Sequence, residues 1–98
     1  MSIKINELVL GQKKLWLLAK IKSISEDRRI PTTGDRALDV TISDGADEAV
    51  LTLFNEKMSL VRGKEGKEIR IKDAWVKKEY AGIKYLTIGL YGEIEVID

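Results

Sequence analysis

The most regular feature of this sequence is the alternation of apolar and polar side chains in five separate segments. These segments are residues 15–22, 38–43, 49–54, 69–76 and 85–88. A period of two places alternate side chains on opposite faces of a β-strand, so one apolar face of each segment can point into a core. The pattern therefore predicts five strands, of which the first is long.

Turn-forming residues separate these segments. Asp44-Gly45 is a strong hairpin signal, and an Ala-Gly pair at residues 81–82 predicts a second tight turn. In the polar loop SEDRRIPTTGDR, we expect the proline and the glycine to prevent continued strand pairing. We also expect Gly89 and Gly92 to end the fifth strand and to leave EIEVI as a half-paired last segment.

Two short segments outside the strands are expected to cover the core. The N-terminal run IKINEL is predicted to close one end of the core as a short strand or turn. The run NEKMSLVRGK predicts one or two helical turns, with Asn55 as the N-cap and Gly63 as the stop. Its apolar residues Met58, Leu60 and Val61 are expected to face the core.

The order of these elements predicts the fold. Five strands with a short helix between the third and fourth are typical of an all-β, five-stranded Greek-key barrel, the OB-fold. An SH3-like barrel is the main alternative, but it does not normally place a helix at that point. With 98 residues, of which 44% are hydrophobic, the chain can build one core. We predict a single domain that spans residues 1–98.

The composition removes most enzymatic chemistry. The chain has no cysteine and no histidine, which excludes disulfides, zinc sites of the usual kind, thiol nucleophiles and imidazole bases. It also has no glycine-rich phosphate loop or nucleophile motif. We expect a non-enzymatic protein without metal or cofactor. The sequence has no run of about eighteen apolar residues and no leader-like start, so we expect a cytoplasmic protein without a membrane partner.

The net charge of +1 is distributed unevenly along the chain. Residues 1–30 contain seven Lys and Arg against three Asp and Glu, and residues 62–84 contain eight against four. Residues 31–61 are acidic, with two Lys and Arg against six Asp and Glu. If the two basic segments fold side by side, they form the positive surface that a polyanion requires. In the alternative interpretation, these charged side chains are interleaved on the surface and are simply solvated.

The positions of the aromatic residues suggest a site for unpaired bases. Strand parity places Phe54 with Thr52 on the outer face of the third strand, while Trp75 and Tyr80 belong to the fourth strand and its hairpin. Tyr85 is an outward residue of the fifth strand. A base that stacks on an aromatic side chain gains roughly 1 to 3 kcal/mol whatever its identity. Strand parity also places Trp16 outside the barrel, but its role stays open between a nucleotide platform and a protein contact.

Phosphate groups need cationic partners beside these rings. Candidate residues near the predicted hairpin and in the loop after the first strand are Lys77, Lys78, Lys84, Arg28, Arg29 and Arg36. Asp39 is expected to weaken binding if it lies on the same surface.

At the level of sequence blocks, the chain resembles a known family. The ordered blocks KINEL, AKIKSISEDR, VTISDG, VLTLFNE, IRIKDAWVKKEYAG and YLTIG resemble the single OB domain of archaeal single-stranded DNA-binding proteins related to replication protein A. The resemblance covers about residues 5–94. It implies that Phe54, Trp75 and Tyr80 occupy the aromatic positions of that family, with phenylalanine in place of the usual tryptophan at the first. The turn Asp44-Gly45-Ala46-Asp47 departs from the usual family turn.

Together, these features predict sequence-tolerant binding of single-stranded DNA, and the resemblance implies a role in replication, recombination or repair. Single-stranded RNA is an alternative ligand, and replication or repair proteins are expected partners. We expect the isolated domain to be a monomer. A different class of function is a protein-interaction OB module, the scaffold subunit of a complex like replication protein A, in which Trp16 and other outer apolar residues would form an interface.

Overall fold

The computed structural model describes residues 3–97, apart from the side chain of residue 90, and shows six strands. They are β1 (Leu15–Ile24), β2 (Arg28–Arg29), β3 (Arg36–Ser43), β4 (Glu48–Phe54), β5 (Glu68–Tyr80) and β6 (Ile83–Ile97). Two 3-10 helices, at Ile5–Glu7 and Asn55–Leu60, complete the secondary structure. The second of these lies between β4 and β5, where the sequence predicts a helix.

The strands form one closed sheet. Their order is β1-β5-β6-β4-β3-β2, and β1 also pairs with β3, which closes the five long strands into a barrel. All pairings are antiparallel except that of β4 with β6. This connectivity is that of the OB-fold, and the prediction of the fold is confirmed.

The apolar faces predicted from the alternation meet inside the barrel. In β1, Leu17 and Ile21 are buried while the residues between them are mostly exposed, and the same alternation continues in β4 and β5. These side chains form one hydrophobic cluster. Burying a leucine or isoleucine side chain contributes about 1.5 to 3 kcal/mol, so this cluster is the main source of stability.

The N-terminal segment closes one end of this core, as a 3-10 turn and not as a strand. Ile5 and Leu8 are buried against the barrel. The carboxylate of Asp44, in the β3–β4 turn, holds the segment in place, because its Oδ2 accepts a 2.9 Å hydrogen bond from the N–H of Ile5. Its Oδ1 accepts hydrogen bonds of 3.0 and 2.9 Å from the N–H groups of Ala46 and Asp47. Asp44 therefore stabilises both the hairpin and the N-terminal closure.

The loop after β1 is more ordered than the sequence predicts. The segment is not a loop throughout, because Arg28 and Arg29 pair with Ala37 and Arg36 as the short strand β2. The proline lies beyond β2, in the connection between β2 and β3. There the N–H of Ile30 donates a 2.7 Å hydrogen bond to the carbonyl of Asp35. Pro31 and Gly34 therefore lie in the connection where strand pairing has ended, as the sequence predicts.

The helix between β4 and β5 differs from the prediction in two details. Asn55 is not its N-cap: it is the first helical residue, with a positive φ of 51°, and no side-chain hydrogen bond caps the helix. The side-chain amide of Asn55 instead donates a hydrogen bond to the carboxylate of Asp35 and accepts one from the backbone N–H of Arg36. These two hydrogen bonds connect the helix to the start of β3. Met58 and Val61 are buried as expected, but Leu60 is 47% exposed.

The fifth predicted strand does not end at Gly89. It continues as β6 to Ile97 and pairs with β5 on both sides of a wide bulge. Ala74 pairs with Ile88 and Lys72 with Glu93, so Asp73 alone lies opposite residues 89–92. The glycines therefore allow a bulge in the strand and do not terminate it.

Candidate nucleic-acid interface

Outward residues of β4, β5 and β6 bring four aromatic side chains to one side of the barrel. Val50 of β4 lies beside Tyr85 of β6, and Phe54 has the same strand parity as Val50. On β5, Trp75 pairs with Thr87, which has the parity of Tyr85. We call the surface made by Phe54, Trp75, Tyr80 and Tyr85 the aromatic face.

Tyr80 reaches this face through a bulge in β5. Val76 pairs with Leu86 and Lys78 with Tyr85, so Lys77 is the extra residue. Tyr80 follows two residues after Lys78 and is 71% exposed, while the other three aromatic residues are partly buried. The turn that follows has positive φ at both central residues, Ala81 and Gly82, as a tight hairpin turn requires.

Lysine side chains lie directly over two of these rings. The Nζ of Lys78 is 4.9 Å from the centroid of the Tyr85 ring, and the Nζ of Lys13 is 5.1 Å from that of Trp75. The sequence predicted Lys78 as a site residue but missed Lys13. Lys13 belongs to the basic N-terminal segment, but no periodic signal before β1 shows that it folds back onto β5. The backbone bonds of Gly11 and Gln12 to Val76 produce this placement.

Asp39 lies on the same outward side and is fully engaged. Arg28 NH1 donates a 2.9 Å hydrogen bond to its Oδ2, and the hydroxyl of Thr52 donates a 2.8 Å bond to its Oδ1. Two predicted site residues, Arg28 and Thr52, are therefore bonded to an acidic side chain of the chain itself. Arg28 neutralises the carboxylate, and a phosphate must compete with Asp39 for this guanidinium.

Arg36, another predicted site residue, is also paired. Its Nε donates a 2.8 Å hydrogen bond to Asp27, and a nitrogen of Arg62 lies 3.4 Å from the same oxygen. The hydrogen bond from Arg36, with the added charge of Arg62, lowers the pKa of Asp27 below its ordinary value. Arg29 of β2 is exposed and pairs with Arg36 of β3. These arginines line the loop beside β3, as the sequence predicts, but two of them are bound to carboxylates.

The lysines of the hairpin are less constrained. Lys77 is exposed in its bulge, and Lys84 lies opposite Glu79 in the ladder. Within residues 3–97, neither lysine has an ion pair within 4.0 Å. Their ammonium groups border the aromatic face and are available for an anionic ligand.

The two basic segments do fold side by side, because β1 pairs with β5. Much of their charge is balanced across strands, however. Arg70 forms a 2.7 Å ion pair with Glu95, Lys72 lies 3.9 Å from Glu93, and Lys22 pairs with Glu48. Such exposed pairs contribute little to stability, but they reduce the positive potential on this side of the barrel.

We call the outward surface around the β1–β5 pairing, which carries these ion pairs, the second side of the barrel, and Trp16 of β1 lies on it. Its carbonyl accepts a hydrogen bond from the N–H of Ile3, yet its ring stays 44% exposed and carries the Nζ of Lys72 at 4.7 Å. The N-terminal segment therefore does not cover the ring.

The aromatic face is a surface and not a cavity. A cleft of about 780 Å³ lies instead between β1 and the β3–β4 turn, beside Lys20, Lys22 and Glu48. In residues 3–97, no group of three acidic side chains is arranged to hold a metal ion. No helix in this range is long and apolar enough to cross a membrane.

Comparison with known proteins shows the fold. Neither a known family model nor a curated protein sequence matches the chain. Among solved structures, a replication factor A-related protein from Methanobacterium thermoautotrophicum is 24% identical, with all of this chain aligned to 92% of that one and a TM-score of 0.82. This protein is of the kind that the sequence blocks resemble.

Two other similar structures contain DNA. Schizosaccharomyces pombe Pot1pC bound to single-stranded DNA is 15% identical over all of this chain and 87% of that one, with a TM-score of 0.70. A murine DNA-binding protein bound to double-stranded DNA is 18% identical over 98% of this chain and 47% of that one, with a TM-score of 0.71. At these identities the comparisons establish what the strand order already indicates: this chain is an OB-fold domain.

Proposed function

We propose that the aromatic face binds single-stranded DNA without strong sequence preference. The observation that carries this proposal is the convergence of Phe54, Trp75, Tyr80 and Tyr85 on one outward surface with ammonium groups beside two of the rings. Rings supply stacking surfaces for any base, and Lys13, Lys78, Lys77 and Lys84 supply positive charge for the phosphates between bases.

Single-stranded DNA is favoured over RNA by the resemblance of the sequence to archaeal relatives of replication protein A. The solved structures support the same choice, because one similar protein is replication factor A-related and another was solved with single-stranded DNA. On the same grounds we assign the domain a non-enzymatic role in replication, recombination or repair. Other proteins of those processes would be its partners, and the isolated domain would act as a monomer.

A titration of the intrinsic tryptophan fluorescence with oligothymidylate tests this proposal. Stacking on Trp75 should quench the emission. The logarithm of the binding constant should fall with the logarithm of salt concentration with a slope of about −0.7 per neutralised phosphate, near −2 to −3 for three or four contacts. If the emission is not quenched even at low salt, where binding is strongest, the result would instead favour the scaffold role. A flat salt response would remove phosphate contacts from the proposal.

A further inference from the structure

The second side of the barrel also exposes a pair of aromatic residues, Trp16 and Tyr91. Trp16 is an outward residue of β1, between the inward-facing Leu15 and Leu17. Tyr91 is 86% exposed, which is the largest exposed fraction among the large hydrophobic side chains that the structure describes. Together with Lys14, Lys72 and Asp73, the two rings line a cleft of about 290 Å³.

The bulge in β6 is what presents Tyr91. Asp73 alone faces residues 89–92, so the chain of β6 must turn outward between its two paired parts. The turn is crowded at its glycines: a Cβ on Gly92 would lie 2.7 Å from the Cβ of Ile88, and one on Gly89 would require the Asp73 carboxylate to move. The bulge is thus closely packed at its base and carries an exposed ring.

The cleft adjoins the aromatic face through two consecutive lysines. Leu15 of β1 pairs with Ala74 of the antiparallel β5, so Trp16 and Trp75 lie one residue away from this pair in opposite directions along the ladder. Lys13 lies over the ring of Trp75, and the next residue, Lys14, lines the cleft of Trp16. Lys13 therefore places its ammonium group beside Trp75, and Lys14 lies at the edge of the neighbouring cleft.

The two tryptophans also share one local environment. Each ring is outward-facing, partly exposed and covered on one side by a lysine, Lys13 at 5.1 Å for Trp75 and Lys72 at 4.7 Å for Trp16. Such an arrangement offers a ring for a base and a nearby cation for its phosphate, which are the two components of single-strand binding. At Trp16 the phosphate must compete for Lys72 with the carboxylate of Glu93, 3.9 Å away. A purely apolar protein contact would not need a lysine at either ring.

We propose that the Trp16–Tyr91 cleft is a second base-stacking site, which a single strand reaches by passing over Lys13 and Lys14 from the aromatic face. This inference rests on the proposed function and extends its footprint. A strand that fills only the aromatic face leaves the cleft empty, and a longer strand occupies both. Because OB-folds bind about 4 to 16 nucleotides, an oligothymidylate of about four and one of about sixteen separate the two cases.

The chain contains only two tryptophans, so each site can have its own fluorescent reporter. Trp75→Phe leaves Trp16 as the single tryptophan, and Trp16→Phe leaves Trp75. We expect about sixteen nucleotides of oligothymidylate to quench both reporters, and about four to quench Trp75 alone. Tyr91→Ala should weaken binding of the longer strand at least about fivefold and leave the shorter one unchanged, while Tyr91→Phe should keep the wild-type affinity for both.

The outcomes separate this inference from the proposed function. Quenching of Trp75 by both lengths with no response of Trp16 to either would overturn the second site and leave the aromatic face intact. Equal quenching of Trp16 by both lengths would contradict a path that begins on the aromatic face. If neither tryptophan responds, the proposed function itself fails, and the exposed Trp16 and Tyr91 are better explained as a protein contact. The fluorescence variants keep an aromatic ring at each position and so do not depend on how the fold tolerates Tyr91→Ala.

Discussion

Arg28 and Asp39 face each other on the side of the barrel that carries the aromatic face, with NH1 of the guanidinium 2.9 Å from Oδ2 of the carboxylate. The ion pair joins β2 to β3, and the hydroxyl of Thr52 extends it to β4. A carboxylate at this position repels phosphate and also occupies the arginine that would otherwise contact it. If the aromatic face binds single-stranded DNA as proposed, we expect the pair to limit its affinity.

Replacing Asp39 with asparagine should strengthen binding of oligothymidylate. The change removes one negative charge and releases Arg28, and an exposed pair of this kind is worth about 0.2 to 1 kcal/mol, so the gain should not exceed roughly fivefold. The salt slope should steepen by up to about 0.7. Glu48→Gln is a matched control, because it releases Lys22 from an exposed ion pair at the β3–β4 turn. Equal gains in both variants would show that only net charge matters.

Trp75→Ala should weaken oligothymidylate binding by roughly 1 to 3 kcal/mol, the value of one stacked base. Because the ring lies outside the barrel between the buried Ala74 and Val76, the melting temperature should change little. Trp75→Phe should retain most of the affinity. Binding is measured by fluorescence anisotropy of a labelled strand and stability by circular dichroism. Collapse of the fold with binding retained in the folded fraction would identify Trp75 as a core residue and remove it from the site.

Asp44 should make the stability of the domain sensitive to acid. Hydrogen bonds from the N–H groups of Asp47 and then Ile5 lower the pKa of its carboxyl group below the ordinary value of about 3.9. A carboxyl group with a lowered pKa in the folded state stabilises the protein above its unfolded pKa, and that contribution is lost as the pH falls through the folded value. Stability should therefore decline below about pH 4.

Asp44→Ala isolates this contribution. At pH 6 it should lower the free energy of unfolding by about 1 kcal/mol, since it removes backbone hydrogen bonds from both the turn and the N-terminal segment. The difference from wild type should shrink as the pH falls below about 4, through the lowered pKa of Asp44. Asp47→Ala, in the same turn, serves as the control. A difference that stays constant across this pH range, in urea titrations, would show that the ionised carboxylate is not what matters.

Alternation and turn chemistry predicted most of the barrel. Strands β1, β3, β4 and β5 follow the period-two pattern, and the turns at Asp44-Gly45 and at residues 81–82 lie where the sequence places them. Parity alone also placed Phe54, Trp75 and Tyr85 outside. These features are local consequences of the pleat and of residues that favour tight turns, so neighbouring residues carry enough information to predict them.

The features that the sequence did not predict depend on distant contacts. Gly89 and Gly92 indicate a strand end in isolation, but β6 pairs with β5 on both sides of them, through Ile88 and Glu93. The position of Lys13 over Trp75 follows from backbone bonds between residues 11–12 and Val76. Likewise, no local pattern shows that Arg28 pairs with Asp39 across the strands. Bulges and cross-strand ion pairs are fixed by the tertiary structure, which a single sequence does not display.

Competition between single strand and duplex tests the central claim most directly. Stacking requires bases outside a helix, and opening a duplex costs about 1.4 kcal/mol for each base-pair step. With labelled oligothymidylate bound to the domain at moderate salt, an unlabelled single strand should compete at least about tenfold better than a blunt duplex of equal length. Competition by unlabelled single-stranded RNA of equal length, measured in parallel, shows whether the domain prefers single-stranded DNA or RNA. Equal competition by the duplex would mean that general charge attraction governs binding, and it would contradict stacking on the aromatic face.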